Sequence, residues 1–226
     1  IVKIAMTLVT SLGTVMMPRI ANLFKQNQLE KVREHLLKSF KFVFFLSFPM
    51  MFGLMAISCN LVPWFFGGGY DKVVPNMMVI SPILVIIALS NIMGTQYLLP
   101  IGRQKEYTLS VVVGCFVNFS MNLLLIPHLL SIGAAIAESS VTGVQIYCIR
   151  RDFDFRRIIK ENAHYIISAF VMFVLTHFLA RHLQPSIINT FLCVIVGAST
   201  YLGILVIMKD EMLLLARKML EEKFAK

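Results

Sequence analysis

The sequence FVFFLSFPMMFGLMAISCN, at residues 42–60, contains no charged side chain. A second uncharged stretch, MMVISPILVIIALSNIMGTQYLLPI, occupies residues 77–101. Core helices of a soluble protein would show a polar stripe every three or four residues. About 20 predominantly apolar residues are enough for a helix to cross a bilayer. The two stretches therefore predict helices that face lipid, where each backbone must satisfy its own hydrogen bonds.

The composition of the whole chain also indicates a membrane protein. Of the 226 residues, 58% are hydrophobic and 15% are charged, whereas soluble domains average about 45–50% and about 25%. These values exclude an ordinary soluble enzyme and a disordered segment. A net charge of +9 is compatible with nucleic-acid binding, but in this composition it indicates basic cytoplasmic loops. No nucleic-acid partner is therefore expected.

Seven segments qualify or nearly qualify as membrane spans, and they predict an all-α, polytopic transmembrane bundle. They are residues 1–20, 40–66, 77–99, 108–127, 132–149, 163–181 and 187–208. Because the chain opens at Ile1 inside an apolar run, we expect a truncated first helix and a missing N-terminal part. Pro49 and Pro82 fall inside two spans and should bend them.

Basic residues divide the connecting segments into two sets that alternate along the chain, as successive crossings require. The first set is 19–41, 102–106, 150–161 and 209–226, and the second is 67–76, 128–131 and 181–186. The first set holds 18 of the 21 lysines and arginines, and the second holds Lys72 and Arg181. The positive-inside rule then places the first set and the C-terminus on the cytoplasmic side of the membrane.

Two of these cytoplasmic segments are predicted to form amphipathic helices at the membrane interface. In residues 21–39, the apolar Leu29, Val32 and Leu36 recur at helical spacing among charged residues. The tail at 209–226 repeats this pattern. A linker and a tail that are anchored in lipid, without a protein partner, explain both.

Three polar residues at membrane depth are the main candidates for function. Glu138 is the only acidic residue inside a predicted span, and such a group is costly unless it faces a cavity or a partner. It either binds a coupling cation or a proton, or it packs as a hydrogen-bonded group. Asn118 and Asn122 are four residues apart and share one helical face, either as contacts between helices or as contacts with substrate.

Three further polar candidates lie in or near the spans. Asn91 and Gln96 are in one span, but their spacing does not place them neatly on one face of an α-helix. Lys3 precedes Pro18 by about 22 Å of helix. This distance puts Lys3 at the outer interface or in an outward-facing cavity, unless its side chain merely snorkels.

Arg19, Arg103 and Lys105 flank the cytoplasmic ends of the spans. Their charges could attract a phosphate at this inner mouth. Topology signalling alone also explains them.

No catalytic constellation is visible. The five histidines form no HxxxH or HExxH pattern, and the four cysteines form no CxxC pattern. Ser139 and Ser140 lack the glycines of a nucleophile elbow. We therefore predict no catalytic residue, no metal site and no cofactor, and we do not expect an enzyme.

One series of motifs resembles a known family. Its most specific part is the pattern Asn-x-x-x-Asn-Leu-x-x-Ile-Pro at 118–127, followed by GAAIA at 133–137. SLGTVMMPRI at 11–20 and NIMGTQYLLPIGRQK at 91–105 precede it. In this order the motifs resemble the C-terminal half of a polysaccharide repeat-unit flippase of the MATE-like MOP superfamily. The resemblance covers about residues 1–150.

The resemblance implies two lobes of about six helices around a cationic cavity. Such proteins move an oligosaccharide linked to isoprenoid diphosphate to the outer leaflet by alternating access, driven by an ion gradient. It implies a cytoplasmic-membrane location, and it implies lipid-linked oligosaccharide, membrane lipids, polysaccharide polymerase and glycosyltransferases as partners. The implied units are second-lobe helices at 1–150, a basic cytoplasmic loop at 151–162, two additional transmembrane helices at 163–208 and an amphipathic cytoplasmic tail at 209–226.

Three alternatives stay open at the level of sequence. A cation-coupled drug or metabolite exporter of the same superfamily would have the same spans. An integral-membrane polymerase or ligase usually carries a large polar outer loop, whereas the longest outer loop here is 67–76. A membrane scaffold that transports nothing is the third alternative.

Overall fold

The computed structural model describes residue 7 and residues 16–70, 72–125 and 130–214, without the side chains of residues 122, 124, 125 and 130–132. Within these ranges the chain is helical and contains no strand. Its helices are α1 (16–25), α2 (Leu29–Phe66), α3 (Val73–Ile80), α4 (Ile83–Asn91), α5 (Gln104–Leu125), α6 (Leu130–Ile149), α7 (Phe155–His182) and α8 (Ile187–Ile207). A π-helical segment, Ile92–Leu98, continues α4.

The predicted all-α bundle is confirmed. Each predicted span from 40–66 onward coincides with one of these helices or a pair of them, while most of the span at 1–20 lies outside the described residues. Four described stretches are long and apolar enough to cross a membrane, namely Leu29–Phe66, Val73–Leu98, Phe155–His182 and Ile187–Ile207. Large apolar side chains such as Phe116 and Ile207 point outward, at 72% and 82% exposure, which suits a surface covered by lipid.

Helix α2 is longer than a membrane requires. Its 38 residues extend about 57 Å, against a hydrocarbon core of about 30 Å. The prediction that 21–39 lies on the interface is wrong from Leu29 onward, because this part continues directly into the spanning helix. Val32 and Leu36 are buried in the core cluster beside Ile20 and Phe153, so protein rather than lipid covers their apolar face.

Helix α7 packs against α2 and α8 with a buried face that includes several small residues. Its buried face includes Ser168, Ala169, Thr176 and Ala180, and small side chains allow two membrane helices to approach closely. Helix α8 contacts both α2 and α7, while α5 and α6 form a second pair that α4 joins to α2. The structure is therefore one bundle with α2 between the two groups.

A buried asparagine ties the end of α2 to the turn between α7 and α8. Asn60 Nδ2 donates to the carbonyl oxygens of Leu183 and Gln184, at 3.2 Å each. Its Oδ1 accepts from the Thr190 hydroxyl at 2.7 Å. Trp64 Nε1 donates to the same hydroxyl oxygen at 2.7 Å. Because a carbonyl without a partner is costly in an apolar setting, Asn60 fixes how this turn sits on α2.

A buried carboxylate holds the opposite end of the same helices. Asp210 accepts from the Tyr165 hydroxyl at 2.7 Å, lies 3.0 Å from His164 Nε2, and accepts from the backbone N–H groups of Met212 and Leu213. Burial alone would raise the pKa of Asp210, but these hydrogen bonds outweigh burial and lower it. The stabilisation is therefore present at neutral pH and is lost only as the pH falls through that lowered pKa.

The connection from α6 to α7 is shorter than predicted. Helix α7 begins at Phe155, so residues 155–162 of the segment predicted as a loop form its first turns. Asp154 caps this start, since its carboxylate accepts from the backbone N–H groups of Arg156 and Arg157.

The cysteines are free in the described chain; Cys193 is buried, and Cys115 is exposed.

We expect Asn60→Ala to destabilise the bundle, because it removes the side chain that links α2 to the Leu183 and Gln184 carbonyl oxygens and to the Thr190 hydroxyl. The expected loss is about 1–2 kcal/mol in a membrane setting, or a melting temperature lower by about 2–8 °C. Thermal unfolding in detergent measures it, followed by the fluorescence of Trp64, the single tryptophan. Ser199→Ala on the exposed face of α8 is the control, and equal melting of both variants would contradict the role of Asn60.

Candidate functional site

A cleft of about 450 Å³ opens between α4, α5 and α6. Both residue types that the sequence singled out at membrane depth, an amide and a carboxylate, line it. Its walls are Ser90, Tyr107, Val111, Gly114, Cys115, Asn118, Phe119, Ala137, Glu138, Val141 and Gln145. We call this space the polar cleft.

Helical spacing explains how the polar cleft forms. On α6, Glu138, Val141 and Gln145 follow one another at i, i+3 and i+7, so they share one face. Gly114 of α5 faces that row, and a Cβ on Gly114 would lie 2.2 Å from Val141 Cγ2. The missing side chain therefore lets α5 and α6 approach closely beside Glu138.

The structure brings Asn118 and Glu138 to the same cleft. Glu138 is half-buried, and no ion pair joins it to any residue that the structure describes. Asn118 is also half-buried and makes contacts of its own. A carboxylate and an amide facing one cleft among apolar helices offer oxygen atoms to a cation or a proton.

Gln145 is a polar residue of the cleft that the sequence analysis missed. It is fully buried, and its Nε2 donates to Ser110 Oγ at 3.2 Å. Its Oε1 has no hydrogen-bond partner among the described residues. The seven-residue spacing from Glu138 was the available signal, because that spacing places both side chains on one face of α6.

The π-helical segment changes the relation between Asn91 and Gln96. Gln96 Nε2 donates to Asn91 Oδ1 at 3.2 Å, so the expectation that these two residues do not share a face is wrong. It assumed an α-helix, whereas here Leu99 N donates to Gly94 O at 3.0 Å in an i to i−5 bond. That wider turn brings residues five apart together.

Gly94 lets the π-helical segment sit against the cleft. A Cβ on Gly94 would lie 2.7 Å from Tyr107 Cε2 and 2.9 Å from Gln145 Nε2. The segment therefore contacts one residue of α5 and one of α6 that both line the polar cleft. Gln96 itself is buried, and its Oε1 has no partner among the described residues.

The three inner-mouth candidates differ in what surrounds them. Arg19 and Lys105 are exposed. Arg103 forms a bidentate pair with Glu106, bonds Asp152, and donates to the Cys148 carbonyl at 2.9 Å. The Glu106 and Asp152 carboxylates raise the pKa of the Arg103 guanidinium further. This cation is therefore already neutralised within the protein.

The remaining predicted site residues fall outside what can be placed. Lys3 lies outside the described residues, and so does the side chain of Asn122, although its backbone belongs to α5. Within the described part of the chain, no group of three His, Cys, Asp or Glu residues is positioned to hold a metal ion.

Comparison with known proteins gives one family. The sequence model of the family described as lipid II flippase MurJ matches residues 4–197. Over 90 residues the chain is 31% identical to a protein of Escherichia coli (strain K12) described as "Putative O-antigen transporter", covering 38% of this chain and 22% of that protein. The fold resembles a solved structure of lipid II flippase MurJ in an inward closed conformation, with a TM-score of 0.77 at 15% identity.

The comparisons also set the scale of the chain. The structural match covers 93% of this chain but only 45% of the solved flippase. The matched parts therefore cover less than half the length of either relative.

We expect Gly114→Ala to lower stability, because the new methyl group must displace Val141. Overpacking of this kind typically costs about 1–3 kcal/mol, and thermal unfolding in detergent measures it. Gly143→Ala is the matched control on α6, since a Cβ there meets nothing within 4 Å. Adding Val141→Ala to Gly114→Ala should restore the melting temperature; a double variant no better than the single one would show that this contact does not limit the approach of α5 and α6.

Proposed function

This chain belongs to the lipid II flippase MurJ family, and we propose that its protein moves an oligosaccharide linked to isoprenoid diphosphate across the cytoplasmic membrane. The substrate would serve polysaccharide export of the capsule or O-antigen type, by alternating access. The observation that carries the proposal is the family match over most of the chain, joined to a polar cleft on membrane helices that presents an amide and a carboxylate.

The proposed arrangement follows the units predicted from the sequence. Residues 1–150 supply second-lobe helices, 163–208 supply two additional spans, and the segment after 209 is a cytoplasmic tail. The distribution of basic residues supports this orientation, because 18 of 21 lie on one side in a chain that crosses at each predicted span. Lipid-linked oligosaccharide and membrane lipids are the proposed partners, with polysaccharide polymerase and glycosyltransferases acting beside them.

The polar cleft is the proposed coupling site. Glu138 would exchange a cation or a proton as the lobes alternate, with Asn118 and Gln145 supplying neutral oxygen atoms. A ligand shifts a conformational equilibrium only through its different affinities for the two states. A carboxylate at the α5–α6 contact is suited to this, because any rotation of these helices changes what faces it.

The inner mouth is the proposed first contact of the diphosphate. Arg19 and Lys105 are exposed there and would attract it, and Lys3 and Asn122 would meet substrate deeper in the cavity. Arg103 has a different proposed role, since its guanidinium joins α5 to the α6–α7 connection through Glu106 and Asp152.

The test uses the full-length protein that contains this chain, purified and placed in proteoliposomes with an isoprenoid-diphosphate oligosaccharide. We expect protein-dependent transfer of the lipid-linked sugar between leaflets, scored by its exposure to an added glycosidase. Glu138→Gln should slow transfer about tenfold or more, as loss of a typical coupling free energy would. Ser139→Ala, next to it but exposed, should leave transfer within about twofold, a difference that surface substitutions rarely exceed.

Two outcomes would count against parts of this proposal. Cation-dependent efflux of cationic dyes with no transfer of the lipid-linked sugar would favour a drug exporter of the same superfamily. Normal transfer by Glu138→Gln would keep the flippase activity but remove Glu138 as the coupling group.

A further inference from the structure

The connection between α6 and α7 is fixed by residues that lie between two pairs of arginines. The sequence RRDFDFRR at 150–157 runs through this connection into the first turn of α7. Asp152 bonds Arg103 of the turn before α5, and the Asp154 carboxylate caps the first turn of α7. Both acidic side chains of the connection are therefore already engaged.

Aromatic packing against α2 and the π-helical segment also holds this connection. Phe153 is buried and packs edge-on against Phe40 and Tyr97, with ring centroids 6.2 Å and 5.1 Å apart. Phe155 also packs edge-on against Phe40, at 6.3 Å. Pairs of this kind add to the burial of the rings. The backbone that carries the arginines is thus tied to α2 and to the π-helical segment.

Four guanidinium groups border a depression on this fixed backbone. They belong to Arg150 and Arg151 of the connection, to Arg156 of the first turn of α7 and to Arg33 of α2, and the depression measures about 460 Å³. All four side chains are exposed, and none ion-pairs with a carboxylate in the described part of the chain. Arg150 lies 4.1 Å above the ring of Tyr147, which restricts its position.

We propose that this depression, the arginine pocket, binds a phosphate group, either the headgroup of an anionic phospholipid or a soluble phosphate compound. Guanidinium groups present paired N–H donors that match phosphate oxygens. The pocket also has two carboxylates, of which Asp152 bonds Arg103 and Asp154 caps the start of α7. The four cations exceed these carboxylates by two, which leaves net positive charge for a ligand from outside the described chain.

The chemistry of the pocket differs from what membrane topology needs. Topology responds to lysine and arginine alike and to no particular arrangement. All four basic residues of 150–157 are arginines, and those that border the pocket stand on a backbone held at three points. Guanidinium groups in fixed positions suit bidentate recognition of one anion.

The test compares two triple variants of the full-length protein by native mass spectrometry. One removes three charges from the pocket, Arg150→Gln with Arg151→Gln and Arg156→Gln. The matched control, Lys25→Gln with Lys31→Gln and Lys160→Gln, removes three exposed charges from the same set of cytoplasmic segments. Each protein is titrated with phosphatidylglycerol, with phosphatidylcholine and with inorganic phosphate.

The unmodified protein should retain a saturable phosphatidylglycerol or inorganic phosphate that phosphatidylcholine does not replace. The pocket variant should bind it about tenfold more weakly, as expected when three exposed charged contacts are lost. The control should stay within about twofold. Retention of phosphatidylglycerol alone identifies a lipid headgroup, and retention of inorganic phosphate as well identifies a site open to soluble phosphate compounds.

A third variant keeps the test decisive if loss of charge impairs insertion. Arg150→Lys with Arg151→Lys and Arg156→Lys keeps every positive charge but replaces each guanidinium group, with its paired N–H donors, by a single ammonium. We expect it to insert normally and to bind several-fold more weakly. The proposal is overturned if the lysine variant, and any glutamine variant that inserts, bind as tightly as the unmodified protein. The arginines would then be topology signals.

Discussion

The contact between α2 and α7 is the interaction on which the rest of the bundle depends. Lipid is as apolar as the helix surfaces, so burial of apolar area contributes little between two helices in a membrane. Close packing and polar contacts must hold them instead. Small residues such as Ser168 and Ala169 lie on the buried face of α7. At one end Asn60 of α2 bonds the turn that follows α7, and at the other end Asp210, after α8, bonds Tyr165 of α7. Helix α8 connects these two ends, so both polar contacts also position α8.

The position of α2 then determines where the polar cleft can be. Helix α4 packs on α2, and α6 packs on α4 and on α5. The α6–α7 connection adds a second link, because Asp152 bonds Arg103 just before α5 begins. Helices α2 and α7 are therefore joined to α5 and α6 through packed helices and one ion pair.

The sequence predicted the helices well and their ends less well, for physical reasons. A run such as residues 42–60 is long and uniformly apolar enough to cross lipid as a helix, in which the backbone groups bond one another. The end of such a run depends on what covers the next residues. Val32 and Leu36 have the amphipathic pattern of an interfacial helix, yet Ile20 and Phe153 cover them, and a distant phenylalanine cannot be read from local spacing.

The polar cleft shows the same division. Glu138 and Asn118 could be found from polarity at membrane depth alone, because the cost of such groups makes them informative. Gln96 was misjudged because a π-helical turn changes which residues share a face. That turn accompanies the close approach of Gly94 to Tyr107 of α5 and Gln145 of α6, and local spacing does not reveal an approach between separate helices.

The basic residues have different roles that a count of charges does not separate. Taken together, they predict an orientation, because insertion responds to the number of positive charges on each side. Taken singly, they fall into groups that the count cannot separate. Arg103 is neutralised by two carboxylates and links the start of α5 to the α6–α7 connection. Lys41 is paired with Glu211 beside Asp210. The arginines on the α6–α7 connection differ, because the carboxylates beside them are engaged elsewhere. With Arg33 they outnumber the two carboxylates of the depression on a fixed backbone, and fixed guanidinium groups with excess positive charge suit the selection of one anion.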